Sequence, residues 1–263
     1  MLKISNKVLF WIAFVFAQIC GLVCVILAGV WGGLVRGGFD WNSSINLMNF
    51  HILFMTIGFV FLYGFAILIF RVAHSAPKMP LKIAHAVILI LALVFAAVGL
   101  RAAYEKRKDR PPIILYSVHS WLGILVFIGF GLQWVVGFAF FLIPQTPIQL
   151  RSIYLPFHTI FGPIIYGLII LVCLTGITEV QLFFGNYQDL HDHAMIGNFL
   201  GLFIVFFGAL VFFLVTYSPF RRVEVTPTKD VSENGLEPVP KTQNVPENNG
   251  AVPCGRQCSE PTA

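Results

Sequence analysis

The chain has 263 residues, 57% of them hydrophobic and only 11% charged. A soluble domain carries about a quarter charged residues, so this composition excludes a water-soluble globular protein and describes one embedded in a lipid bilayer. The net charge of +5 is carried by loops and forms no basic stripe interleaved with exposed aromatics, which excludes a nucleic-acid surface.

The first apolar run, residues 8–33, follows Lys3 and Lys7. It is longer than a signal-peptide core and reads as a retained first span. It holds no candidate ligand and is expected at the periphery. The loop after it contains Asn42-Ser43-Ser44, a glycosylation sequon if the loop faces a lumen or the exterior. Further runs follow at about 48–71, 82–104, 116–141, 153–178 and 196–217, each near the roughly 20 residues a bilayer crossing needs. The fold class is therefore an all-α membrane protein with six transmembrane helices, which puts both termini on one side. Cytoplasmic termini place Lys3, Lys7, Arg71, Lys78, Lys82, Arg151, Arg221 and Arg222 inside, against Arg36, Arg101, Lys106, Arg107, Lys108 and Arg110 outside. That slight bias, with the sequon and the basic N-terminus, points to cytoplasmic termini. Residues 223–263 are rich in Pro, Asn, Glu and Thr without periodicity and read as a disordered cytoplasmic tail behind a membrane domain of 1–222. Cys20, Cys24 and Cys173 lie in apolar runs as small hydrophobes, and Cys254 and Cys258 read as reduced thiols of the tail.

Four histidines organise the spans. His51, His85, His119 and His158 each stand near the start of an apolar run, 34, 34 and 39 positions apart. Consecutive spans run in opposite directions, so His51 and His119 fall near one face and His85 and His158 near the other. An ionisable side chain inside a membrane is costly and points to function. A pair of neutral imidazoles from facing helices is how a bundle holds a haem iron from both sides. The expected core is a four-helix bundle holding two b-type haems. Taken singly, each histidine also suits plain packing against a neighbouring helix, but four at one relative depth on consecutive spans do not. A transporter with structural histidines is the competing reading, and it predicts a colourless protein.

Haem ligated by two histidines has no open axial position, so its work is electron transfer. Haem propionates need cations at the membrane surface. On the His85/His158 side these are Arg71, Lys78, Lys82, Arg151 and Arg221, and the same cluster suits an anionic reductant. Lys82 stands one helical turn before His85. On the other side Tyr116, Ser117, Ser120 and Trp121 surround His119, with Tyr116 placed to hydrogen-bond a propionate or substrate. Glu179 caps that site or accepts a hydrogen bond there. His74, His191 and His193 are expected in solvated loops.

Several stretches resemble the cytochrome b561 family of transmembrane ascorbate-dependent reductases: RGGFDWN at 36–42, YSVHSWLG at 116–123, LQWVVGF at 132–138 and LRSIYLPFH at 150–158, with Arg71, Lys78, Lys82 and Thr178-Glu179 at matching positions. The resemblance covers about residues 1–222. It implies two haem b groups, one on His51 and His119 and one on His85 and His158. It implies cytosolic ascorbate donating near Lys78, Lys82 and Arg151, and an outer acceptor, monodehydroascorbate or a ferric chelate, near Tyr116 and Arg107. Arg71, Lys78, Tyr116, Ser117, Glu179 and Arg221 would line the cofactors. The chain departs from the pattern at Ile52, where the family usually has proline, and at Arg107, where some relatives have histidine. Arginine there favours an anionic acceptor. The expected protein is a multi-pass electron-transport enzyme of the plasma membrane or of an endosomal, lysosomal or secretory-vesicle membrane, compatible with a homodimer. The alternative is a non-enzymatic haem anchor passing electrons to a partner oxidoreductase.

Overall fold

The structure, a computed structural model, describes residues 5–43, 46–108 and 115–220. The expected roles of Arg221 and of the tail 223–263, and Ser44 of the sequon, lie outside these residues. The described chain is helical, and six helices are long and apolar enough to cross a membrane: α1 Asn6–Val35, α2 Leu47–Val72, α3 Lys78–Arg107, α4 Val118–Phe141, α5 Ile148–Phe184 and α6 Asp192–Thr216.

Helices α2 to α5 form a ring in which each packs on the next and α5 returns to α2. Helices α1 and α6 pack on each other and against α2, with α6 also on α5. The ring is close where small residues allow it: a Cβ on Gly58 of α2 would lie 2.6 Å from the Ala92 carbonyl of α3. Inside a membrane helices attract mainly by such contact, since lipid is as apolar as they are. Hydroxyls buried in this interior need acceptors. Tyr63 donates to the Gly162 carbonyl at 2.9 Å and Tyr166 to the Val60 carbonyl at 3.3 Å, tying α2 to α5 from both sides.

The helix ends follow local chemistry. Ser117 and Ser120 form a capping box that starts α4 immediately before His119. Gly185, at φ +67°, stops α5. Two π-helical segments interrupt the regular turns, Trp31–Val35 at the end of α1 and Thr56–Leu62 just after His51 in α2. Such widened turns re-aim the residues around them and often mark functional sites.

Two expectations need correction. Helix α5 has 37 residues, about 55 Å at 1.5 Å per residue, where the apolar run suggested 153–178. Backbone hydrogen bonding continues past the apolar stretch at both ends, and the interior Pro156 and Pro163 do not break it. His193, expected in a solvated loop, lies in the first turn of α6 and is held by Arg36 and Gln181. Its nearest aromatic neighbour, Phe184, is 3.9 Å away between ring centres. His74 is exposed in the α2–α3 turn, and His191 is exposed beside Asp189 at 3.9 Å.

Candidate functional site

His51 near the start of α2 and His119 near the start of α4 face each other across the bundle, ring centres 6.1 Å apart and planes at 87°. At the opposite end His85 of α3 faces His158 of α5, at 6.2 Å and 72°. The tautomers are set by the backbone. Nδ1 of His51 meets the Gly99 carbonyl at 3.0 Å, that of His85 the Ala66 carbonyl at 2.8 Å and that of His119 the Val172 carbonyl at 2.9 Å. A carbonyl only accepts, so each Nδ1 carries the proton and each Nε2 keeps its lone pair free as a ligand. Nδ1 of His158 is buried without a partner among the described residues. The His158 backbone is tied instead by Gln133, whose amide donates to the His158 carbonyl at 2.9 Å. Trp134 donates its indole N–H to the Ala86 carbonyl, next to His85, at 3.0 Å.

This arrangement fits a haem iron. A metal–imidazole bond of about 2 Å, plus about 1.1 Å from the nitrogen to the ring centre, doubles to about 6.2 Å. Among the described residues no three His, Cys, Asp or Glu side chains gather to hold a bare metal ion. Two ligands alone suit a metal that brings its own equatorial donors. A cavity of about 800 Å³ opens beside His51 and His119, with apolar walls that include Phe59, Phe127 and Ile169.

Glycines make the room. A Cβ on Gly176 would lie 2.6 Å from Cε1 of His119, and one on Gly137 would lie 2.9 Å from Cε1 of His158. Two of the four rings, those of His119 and His158, thus rest on a glycine of a neighbouring helix. Sequence reading assigned these glycines no role, although Gly137 lies in one of the stretches it singled out.

At the His51/His119 end, Glu179 is the hub. Ser117 donates to it at 2.8 Å, Tyr116 donates through its hydroxyl, and Arg107 pairs with it at 3.2 Å. Arg107 also lies 4.6 Å over the Tyr116 ring and donates to its hydroxyl at 3.1 Å. The Tyr116 phenol is raised above its ordinary range by burial and by its bond to Glu179, so it stays a donor at neutral pH. Arg101 of the same mouth pairs with Glu105. A second network here was not legible in the sequence. Asn49, fully buried, holds the carbonyls of Gly32, Arg36 and Gly38 and accepts from Arg36 Nε at 2.7 Å.

At the His85/His158 end, the α4–α5 turn gathers the cations. Lys82 reaches the Phe141 carbonyl at 3.4 Å, and Arg151 donates to the carbonyls of Ile143 and Pro144 at 2.9 and 3.2 Å. Arg151 and Lys78 are electrostatic neighbours of Lys82. Arg71 donates to the Val215 carbonyl at the end of α6.

Fold and site together define a multi-pass helical membrane protein whose four-helix core carries facing histidine pairs at both ends. Comparison with known proteins agrees: the profile of eukaryotic cytochrome b561 matches residues 50–184, the stretch holding all four histidines. The transmembrane ascorbate-dependent reductase CYB561 of Homo sapiens is 41% identical over 209 residues, 79% of this chain and 83% of that protein. Its counterpart in Sus scrofa is 42% identical over the same length, 79% of this chain and 82% of that protein. The lysosomal membrane ascorbate-dependent ferrireductase CYB561A3 of Homo sapiens is 38% identical over 212 residues, 78% of this chain and 87% of that protein. The chain belongs to the cytochrome b561 family, and membership implies b-type haem.

Proposed function

We propose that the chain is a transmembrane oxidoreductase that takes electrons from ascorbate on the cytosolic side and delivers them to monodehydroascorbate or a ferric chelate on the other. The observation that carries this reading is the pair of histidine couples, 6.1 and 6.2 Å ring to ring, at opposite ends of one bundle. His51 with His119, and His85 with His158, would each hold one haem b, two in all. Haem b so ligated supplies a one-electron iron couple and no open coordination site for substrate.

The protein's own groups do the rest. Lys78, Lys82 and Arg151 concentrate an anionic donor at the His85/His158 end. Arg107 and Tyr116 receive an anionic acceptor at the other, where Glu179 holds both in place. Arg71 and Lys78 at one end and Ser117, Tyr116 and Glu179 at the other would stand around the haem carboxylates. This reading puts both termini in the cytosol and the exposed Asn42 on the glycosylated side, and it is compatible with a homodimer.

The test uses the full chain in sealed vesicles loaded with ascorbate. Ferric citrate or monodehydroascorbate added outside should be reduced, with haem absorbance cycling in step. Vesicles with haem-loaded protein that reduce neither acceptor would refute the reading.

A further inference from the structure

Arg36 follows the π-helical turn that ends α1 and lines the cavity beside His51 and His119. Its guanidinium is largely removed from water, which lowers it to about 10, so it remains a cation at neutral pH. Its partners are neutral. Nε donates to Asn49 Oδ1 at 2.7 Å, and a terminal N–H donates to His193 Nε2 at 3.0 Å. His193 meets Gln181 Oε1 through Nδ1 at 2.9 Å. It therefore donates from Nδ1, and its Nε2 carries the lone pair that Arg36 uses. The ring faces of Phe184 and Trp31 lie 4.8 and 5.4 Å from the guanidinium carbon. Arg101 and Arg107, at the same mouth, meet the carboxylates of Glu105 and Glu179, whereas Arg36 meets none among the described residues. A buried charge is normally compensated by an opposite one. A guanidinium has five N–H donors, and the two bonds to Asn49 and His193 leave others unspent. Asn49, anchored on three carbonyls, keeps the cation where it is.

We propose that Arg36 is the counter-cation of a carboxylate-bearing anion bound in the cavity of His51 and His119. The proposal rests on the function inferred above. Two sources carry that chemistry: a propionate of the haem held there, or the anionic acceptor.

The experiment uses the full chain in lipid nanodiscs, as wild type, Arg36→Gln and Arg36→Lys. It measures affinity for haem b and for its dimethyl ester after reconstitution, the midpoint potential of the His51/His119 haem, and KM for ferric citrate against a neutral quinone. If the anion is a haem propionate, Arg36→Gln weakens haem b binding about tenfold or more, the size of a lost charge-assisted hydrogen bond. It also lowers the midpoint potential, because losing a cation favours the oxidised form. The dimethyl ester then binds wild type and variant alike, and Arg36→Lys recovers part of the loss. If the anion is the acceptor, haem affinity holds, and KM for ferric citrate rises about tenfold while that for the quinone stays constant. Unchanged haem affinity, ester response and KM in Arg36→Gln would overturn the proposal. Should that variant fail to fold, a wild type that binds haem b and its ester equally, and whose KM for ferric citrate does not rise with ionic strength, overturns it too. A wild type with no haem at His51 and His119 removes the functional reading instead.

Discussion

Replacing Gly176 by alanine would put a methyl carbon 2.6 Å from Cε1 and 2.9 Å from Nδ1 of His119. Carbon atoms in ordinary contact stand about 3.5–4.0 Å apart, so the ring must retreat by about 1 Å. Both residues sit on packed helices, and the imidazole is the part that can move. Its retreat breaks the Nδ1 bond to the Val172 carbonyl, now 2.9 Å, and turns Nε2 away from His51. Losses of this kind around a metal ligand cost about 10–100-fold in affinity, or about 1.4–2.8 kcal/mol. Gly176→Ala should therefore lower haem occupancy at the His51/His119 site and leave the His85/His158 site filled. Haem stoichiometry and a redox titration that separates the two sites measure this. Gly129→Ala is the control: its Cβ would meet nothing within 4 Å, and removing a helical glycine should add about 0.5–1 kcal/mol of stability. Full haem content and an unchanged midpoint in Gly176→Ala would refute the reasoning.

His51→Ala and His119→Ala should deplete one haem, and His85→Ala and His158→Ala the other; depletion of the same haem by His51→Ala and His85→Ala would break the pairing. Lys82→Ala should slow reduction by ascorbate about threefold to tenfold and flatten its salt dependence, by removing a steering charge, while a neutral donor reacts as before; stopped-flow kinetics at two ionic strengths decide it. Glu179→Gln removes the carboxylate opposite Arg107, a partly exposed pair worth about 1 kcal/mol or less. The fold should persist, and KM for ferric citrate should fall about twofold to fivefold; an unchanged KM would separate Arg107 from the acceptor site.

The sequence by itself determined the class of fold and which histidines face each other. Apolar runs about 20 residues long leave little choice but membrane helices, because backbone groups in lipid must bond within their own segment. Consecutive helices alternate in direction, so parity alone sets His51 opposite His119 and His85 opposite His158, as the ring distances of 6.1 and 6.2 Å show. The tertiary structure decided what parity does not reach. Gly137 and Gly176 look like any other helical glycines until the helix carrying each histidine is laid against its neighbour. His193 reads as a loop residue because its helix begins in polar sequence, before the apolar run that marks the span. Arg36 reads as a flanking cation of the membrane surface; its lack of a carboxylate partner appears only when α1, α2, α5 and α6 meet around it. Each of these depends on contacts between residues far apart in the chain, which local pattern and spacing do not encode.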